Sequence, residues 1–174
     1  MLTLRKLNAS EGVDVYNMLQ GIEREENGFH NEVKDMQYGA FAKWLKRNVE
    51  FAKGNDLPTG YVPQTTYWLY ENDTPVGIGR IRHHLTDALR ENGGNIGYGI
   101  AATFRGRGFG NEILRQLLAQ CKVMGMTEVY IDTLKSNVPS NLVIRFNGGK
   151  LIRETSDKNY FIIPNENKEG TKHE

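Results

Sequence analysis

The stretch Ala101–Cys121, "AATFRGRGFGNEILRQLLAQC", decides the fold. Six of its residues, Arg105 to Gly110, include three glycines and two arginines, and an apolar-periodic run follows at once. Ile113, Leu114, Leu117, Leu118, Cys121 and then Met124 recur at helical spacing and mark one helix face. The glycines therefore stand at the mouth of a helix. The first N–H groups of a helix have no intrahelical partner, and the dipole is positive there. Glycine lets the backbone turn sharply and lets a ligand come close to it. A strand leading through Gly-Arg-Gly-Phe-Gly into a helix points several N–H groups at an anion. Arg105 and Arg107 add fork-shaped donors suited to phosphate. The plain alternative is a flexible loop.

The surroundings of this stretch supply the remaining elements. Before it, "NIGYGIAA" (Asn95–Ala102) reads as a strand with Ile96, Tyr98, Ile100 and Ala102 on one face and small or polar residues on the other. Glycines on such a strand let a ligand approach its backbone. Further back, "QTTYWLYE" (Gln64–Glu71) and "VGIGRIRH" flank "NDTP" and read as a hairpin, in which Tyr67, Trp68 and Tyr70 are sheet-packing residues. "LTDALRENGG" is a polar excursion with about one helical turn. At the start, "LTLRKL" (Leu2–Leu7) reads as a strand, and Ser10 is placed to cap a helix carrying Val13, Tyr16 and Leu19. "GIEREENGFHNEVKD" reads as a helix end and an acidic loop, and a second helix runs from about Asp35 to Lys53. After the glycine cluster come the strand "EVYIDTL", a helix with Pro139 in its first turn and Gly148-Gly149 at its end, and the strands "KLIRETS" and "NYFIIP". The order is β-α-α-β-β-β-α-β-α-β-β. It predicts a single α/β (α+β) domain over residues 1–164, with a polar tail at 165–174. About six to seven strands form a mixed, mostly antiparallel sheet, flanked by about four helices. The strand–helix–strand passage around the glycines predicts one parallel pair.

Composition narrows the class of function. The chain has 174 residues, enough for one core. Hydrophobic residues are 39% and charged residues 25%, as in ordinary folded proteins. The net charge of +1 gives no global field for nucleic acid or anionic membrane, so any anion site is local. Neither nucleic acid nor membrane is expected as a partner, and no metal site is expected. The single cysteine, Cys121, has no internal disulfide partner and falls on the apolar helix face, where it reads as core packing. The opening "MLTLRKLNAS" lacks the apolar core of a signal peptide, which predicts a cytoplasmic protein.

The spacing rejects two familiar phosphate motifs. No Gly-Lys-Ser/Thr segment makes a P-loop, and "GRGFGN" is G-x-G-x-G where the dinucleotide fingerprint needs G-x-G-x-x-G. Arg105-x-x-Gly108-x-Gly110 instead resembles the (Gln/Arg)-x-x-Gly-x-(Gly/Ala) motif of the GNAT N-acetyltransferase superfamily. "NVPSNLVIRFNGGKL" resembles that family's second signature, an asparagine followed by a small residue and a later glycine. The likeness covers roughly Leu2 to Pro164. It implies acetyl-CoA as cosubstrate. Tyr98, Gly99 and Ile100 would pair their backbone with the pantetheine arm. Arg105, Gly106, Arg107, Gly108, Phe109, Gly110 and Asn111 would form the pyrophosphate site. Asn137 and Ser140 would line the far side of the pantetheine slot, and Arg145 is a further candidate for the outer phosphate.

The resemblance implies an N-acetyltransferase acting on a primary amine of a small molecule or peptide by direct attack. A homodimer is among the assemblies the family uses. Two positions depart from the family. Ile144 stands where many members carry a tyrosine acid, and Asn95 stands where many carry a glutamate base. The alternative is therefore a weakly active or inactive acyl-CoA-binding sensor. The candidate catalytic residues are His83, His84 and Tyr98. Histidine titrates near neutral pH, and strand alternation sends His83 and His84 to opposite faces. Glu25, Glu26 and His30, in the loop between the first two helices, are candidates for holding the amine or acting as base. Asp132 reads as a structural carboxylate.

Overall fold

The computed structural model of the chain describes residues 1–166. Strand β4 (Gln64–Glu71) shows how the sequence builds the centre. Its side chains alternate between two cores: Tyr67 and Leu69 enter one cluster, Trp68 and Tyr70 the other. All four are buried, which is what a central strand covered on both faces requires. β4 pairs antiparallel with β1 (Leu2–Lys6) on one side and with β5 (Thr74–Arg82) on the other. Antiparallel β6 (Ile96–Ile100) completes a four-stranded sheet of order β1-β4-β5-β6. A second sheet, of order β7-β9-β8, contains β7 (Glu128–Leu134), β8 (Lys150–Glu154) and β9 (Lys158–Pro164), all antiparallel.

Helices cover the two faces separately. α1 (Val13–Gln20) and α2 (Tyr38–Lys53) bury Val15, Leu19, Phe41, Trp44 and Leu45 against Trp68 and Ile78. α4 (Phe109–Val123) lays Ile113, Leu114, Leu117, Leu118 and Cys121 on the opposite face. The same cluster takes Val129, Ile131, Phe161 and Ile163 from the second sheet and Ile144 from α5 (Val138–Phe146), so α4 bridges both sheets. Gln116 of α4 accepts from Leu4 N–H at 2.8 Å and donates to the Leu2 carbonyl at 3.1 Å, which covers the outer edge of β1. Among the described residues no helix is long and apolar enough to cross a membrane.

Four details correct the sequence reading. Gly12, not Ser10, precedes α1, and Ser10 instead bonds the Asn8 side chain. α2 begins at Tyr38, because Asp35 has a φ of 63° that no helix accepts. The acidic loop contains a hairpin of β2 (Glu25–Glu26) and β3 (Phe29–His30), turned by Asn27 and Gly28 at φ 51° and 84°. The helical turn expected in the polar excursion is present as a short helix, α3 (Asp87–Glu91), capped by the Thr86 hydroxyl. Of the region expected to be a tail, Asn165 is buried and donates to the carbonyls of Leu118 and Met126. Residues 167–174 of that expectation lie outside the described residues.

The expected parallel pair of β6 and β7 forms no ladder. The strands touch only at one end. Asn95 N–H donates to the Tyr130 carbonyl at 2.7 Å, and the Asn95 side-chain oxygen accepts from Tyr130 N–H at 2.9 Å. Its amide nitrogen donates to the Arg82 carbonyl at 3.2 Å. Approach is closest at Gly94, where a Cβ would stand 2.6 Å from the Tyr130 oxygen. Because a side chain takes the bond that would start a ladder, pairing stops there and the strands part.

Candidate active site

Gly106 and Gly108 have φ of 77° and 82°, the left-handed region that glycine enters without penalty. A Cβ on either would meet none of the described residues within 4 Å, which leaves the space over this turn open to a ligand. Gly108 precedes α4, and no side chain among the described residues caps the helix. The N–H groups of the first turn, from Phe109 to Asn111, are therefore left for an external acceptor. A Cβ on Gly110 would meet Val143 of α5 at 3.5 Å, an ordinary packing contact. The two arginines turn elsewhere. Arg105 donates to the Ile100 carbonyl at 2.9 Å and pairs with Glu26 at 2.7 Å. Arg107 makes a two-pronged contact with Glu71, at 2.6 and 3.0 Å. Arg105 holds the Glu26 carboxyl below its usual range, chiefly by hydrogen bonding.

Beside this cradle lies the gap between β6 and β7. Ala101 N–H donates to the Val76 carbonyl, and the Asn95 carbonyl accepts from Arg82 N–H, so the odd-numbered positions of β6 face β5. By alternation the main-chain groups of Ile96, Tyr98 and Ile100 face the gap. The Ile100 carbonyl, unpaired with β5, accepts from Arg105. Across the gap Asn137 begins α5, its side-chain oxygen accepting from Ser140 N–H at 3.4 Å. The Tyr98 hydroxyl lies 3.1 Å from the Ser140 hydroxyl and spans the opening. Burial pushes the Tyr98 phenol up, so it stays protonated at neutral pH.

On the other face of β6, Gly97 and Gly99 present no side chain, and Phe29 of the β2–β3 hairpin lies over both. The hairpin is tied down at two points: Glu26 to Arg105, and the His30 carbonyl to Arg80 at 2.7 Å. Glu25 bonds the His30 ring across the hairpin. Beneath it opens a cavity of about 180 Å³ lined by His30, Glu32, Trp44, Tyr61, Arg80 and Arg82, among others.

A sequence model described as an acetyltransferase (GNAT) domain matches residues 1–150. The chain belongs to the GNAT acetyltransferase family. Among curated proteins no sequence matches it. Solved structures share the GNAT fold at low identity. RimL, the ribosomal L7/L12 alpha-N-protein acetyltransferase in complex with coenzyme A, has a TM-score of 0.70 at 16% identity, over 94% of this chain and 93% of that one. The acetyltransferase from Salmonella typhimurium that modifies the N-terminal serine of L7/L12 gives 0.65 at 16% identity, over 94% of each chain. Campylobacter jejuni N-acetyltransferase PseH in complex with acetyl coenzyme A gives 0.63 at 9%, over 95% of this chain and 100% of that one.

Within this GNAT domain the two departures from the family have structural explanations. Asn95 is buried and joins the sheets, work that its neutral amide does as both donor and acceptor. Ile144 is fully buried, and Gly149 packs so close that a Cβ there would lie 2.5 Å from it. The candidate histidines sit apart from the gap. His83 bonds the Thr65 hydroxyl at 2.7 Å, burial pushes its imidazole down, and His84 is exposed. Neither lines the cavity under the hairpin, whereas His30 does. Arg145 stacks on the Phe161 ring, 5.1 Å from its centre. Asp132 accepts from Gly93 N–H and pairs with Lys158. Cys121 is buried, and its thiol is pushed up to about 12. Sequence reasoning missed Arg80 and Arg82. The signal was their i, i+2 spacing inside an otherwise buried strand.

Proposed function

We propose that this chain transfers an acetyl group from acetyl-CoA to a primary amine of a small molecule or peptide by direct attack. The observation that carries it is the open left-handed turn at Gly106–Gly108, running into an uncapped α4 beside the gap-facing main chain of β6. The fit is specific in chemistry. An anion meets N–H groups of Phe109, Gly110 and Asn111, and an extended amide arm meets main-chain groups of Tyr98 and Ile100. Asn137 and Ser140 bound the slot on the α5 side. Arg105 and Arg107 hold the cradle in place through their ion pairs with Glu26 and Glu71.

In the reaction the amine nitrogen bonds to the acetyl carbon as the carbon–sulfur bond breaks. The carbonyl oxygen gains negative charge, which the gap-facing Ile100 N–H is positioned to stabilise. The amine gives up a proton, and His30, oriented by Glu25, is the acceptor on the cavity side. The leaving thiolate takes a proton, and the protonated Tyr98 hydroxyl is the donor beside the gap. Holding both reactants together supplies much of the rate.

The test has two readouts. Acetyl-CoA raises the Tm of the protein, and free thiol is released across a panel of amines. Absence of a Tm shift overturns the cosubstrate assignment. For the base, kcat falls by about a hundredfold in His30→Gln and is unchanged in His83→Gln. The reverse pattern would return that role to His83.

A further inference from the structure

Arg80 and Arg82 lie two residues apart on β5, so their side chains leave the same face of the sheet. It is the α1–α2 face: on the other, Gly79 packs against Leu117 of α4. Arg80 stands directly across from Gly97 in the strand register, one strand spacing of about 4.8 Å from the β6 main chain. Gly97 has no side chain to fill the space between, so the guanidinium borders the place where the proposed reaction occurs. Phe29 covers it, with the guanidinium carbon 4.6 Å from the ring centre.

Both cations are partly buried, and Glu32 and Asp132 act on them through space without bonding either guanidinium. Arg80 donates one N–H to the His30 carbonyl, while its Nε is buried with no partner among the described residues. Arg82 donates to the carbonyls of Gly93 and Gly94. No carboxylate among the described residues bonds either one. The acidic side chain lining the cavity, Glu32, is taken by Arg47. Burial lowers Arg80 to about 10, with Arg82 contributing, yet both remain cations at neutral pH. Burying a cation without a counter-ion is costly. Two on one face, with an unpaired donor, in a cavity of about 180 Å³ beside the strand, make a ready receptor for a small anionic group.

We propose that the acceptor amine carries an oxyanion, a carboxylate or a phosphate, which the Arg80 guanidinium binds in this cavity with Arg82 reinforcing the field. This assignment rests on the acetyl-transfer reading and deepens it: it names the class of acceptor. The oxyanion supplies the directly bonded counter-ion that no described residue provides, and it fixes the amine close to β6.

Thiol release by the full chain, at saturating acetyl-CoA, tests this with matched amines: amino acids and acidic dipeptides, phosphoethanolamine, and the corresponding carboxamides and ethanolamine. The expected kcat/KM is about tenfold or more higher for an oxyanion-bearing amine than for its neutral partner. Preference in the carboxylate arm or in the phosphate arm identifies the source. In Arg80→Gln the ratio of anionic to neutral kcat/KM collapses toward one, with the loss in KM. If that variant fails to fold, Arg80→Lys, which keeps charge but loses the fork, reduces the ratio less steeply. Equal turnover of anionic and neutral partners by the unsubstituted protein overturns the proposal, and so does a panel in which no anionic amine reacts. The acetyl-CoA Tm shift, read in parallel, separates the two levels. A shift without anion preference sinks the acceptor assignment alone, whereas no shift sinks the acetyl-transfer reading.

Discussion

At the scale of single residues, Gly108 and His83 each make a sharp prediction. Gly108 combines a left-handed backbone with open space above it. Gly108→Ala tests the backbone alone and costs about 1 kcal/mol from its positive φ. Gly108→Glu adds a carboxylate where the proposed phosphates sit. It is expected to lower the intrinsic Tm about as much as the alanine, yet abolish the Tm shift given by acetyl-CoA. An undiminished shift in the glutamate variant would place the phosphates elsewhere. His83 is held down by burial first, then by His84 and Lys6. A depressed imidazole means the native state binds fewer protons than the unfolded chain. Its contribution is therefore fully present above the unfolded value near pH 6.5, and it is lost as pH falls through the folded value. His83→Gln should flatten the fall of Tm below about pH 6.5, and parallel curves for the two proteins would refute this origin.

At the scale of elements, the decisive feature is the parting of β6 from β7, and Asn95 controls it. Asn95→Ala leaves the Tyr130 N–H and the Arg82 carbonyl without their side-chain partner in a buried place, at an expected cost of about 2–4 kcal/mol. A urea midpoint lowered with an unchanged slope would support that account. Asn95→Asp would lose the donor to the Arg82 carbonyl and bury a carboxylate, so it should be no milder. Substitution by glutamate would likewise sacrifice the clamp. Much at this scale was legible in the sequence: the aromatic, β-branched run at Gln64–Glu71 forms a strand, and the stripe from Ile113 to Cys121 sits where its period puts it. The β2–β3 hairpin was signalled by Asn27-Gly28, but strands of two residues carry no readable alternation. The parting of the strands was not legible, because the bond that stops the ladder joins Asn95 to Tyr130, 35 positions away. The partners of Arg105 and Arg107 were hidden for the same reason, Glu26 lying 79 positions off and Glu71 36. The spacing of Arg80 and Arg82 was in the sequence, but the place of Arg80 beside Gly97 comes only from the strand register.

At the scale of the whole molecule, two sheets share one core but diverge at one edge. α4 packs residues of both sheets into a single cluster, so the domain should unfold in one cooperative step. The open end of the gap is spanned by the Tyr98–Ser140 contact rather than by a ladder. Amides at the gap and cradle, those of Tyr98, Ile100 and Phe109 to Asn111, are thus exposed to exchange without unfolding, while those between β4 and β5 open only with the whole domain. Acetyl-CoA should act on the two groups by different routes. Core amides gain protection by the global factor 1 + [L]/Kd, since binding favours the native state as a whole. Gap and cradle amides gain more, because the cosubstrate itself becomes their hydrogen-bond partner in the native state. Hydrogen exchange with and without acetyl-CoA, at several concentrations, measures both. The core gain should track the Tm shift, and the gap gain should exceed it. Were the gap amides to rise by no more than the core, the cosubstrate would be lying outside the gap, and the role given to the main chain of β6 would fail even with the cradle intact.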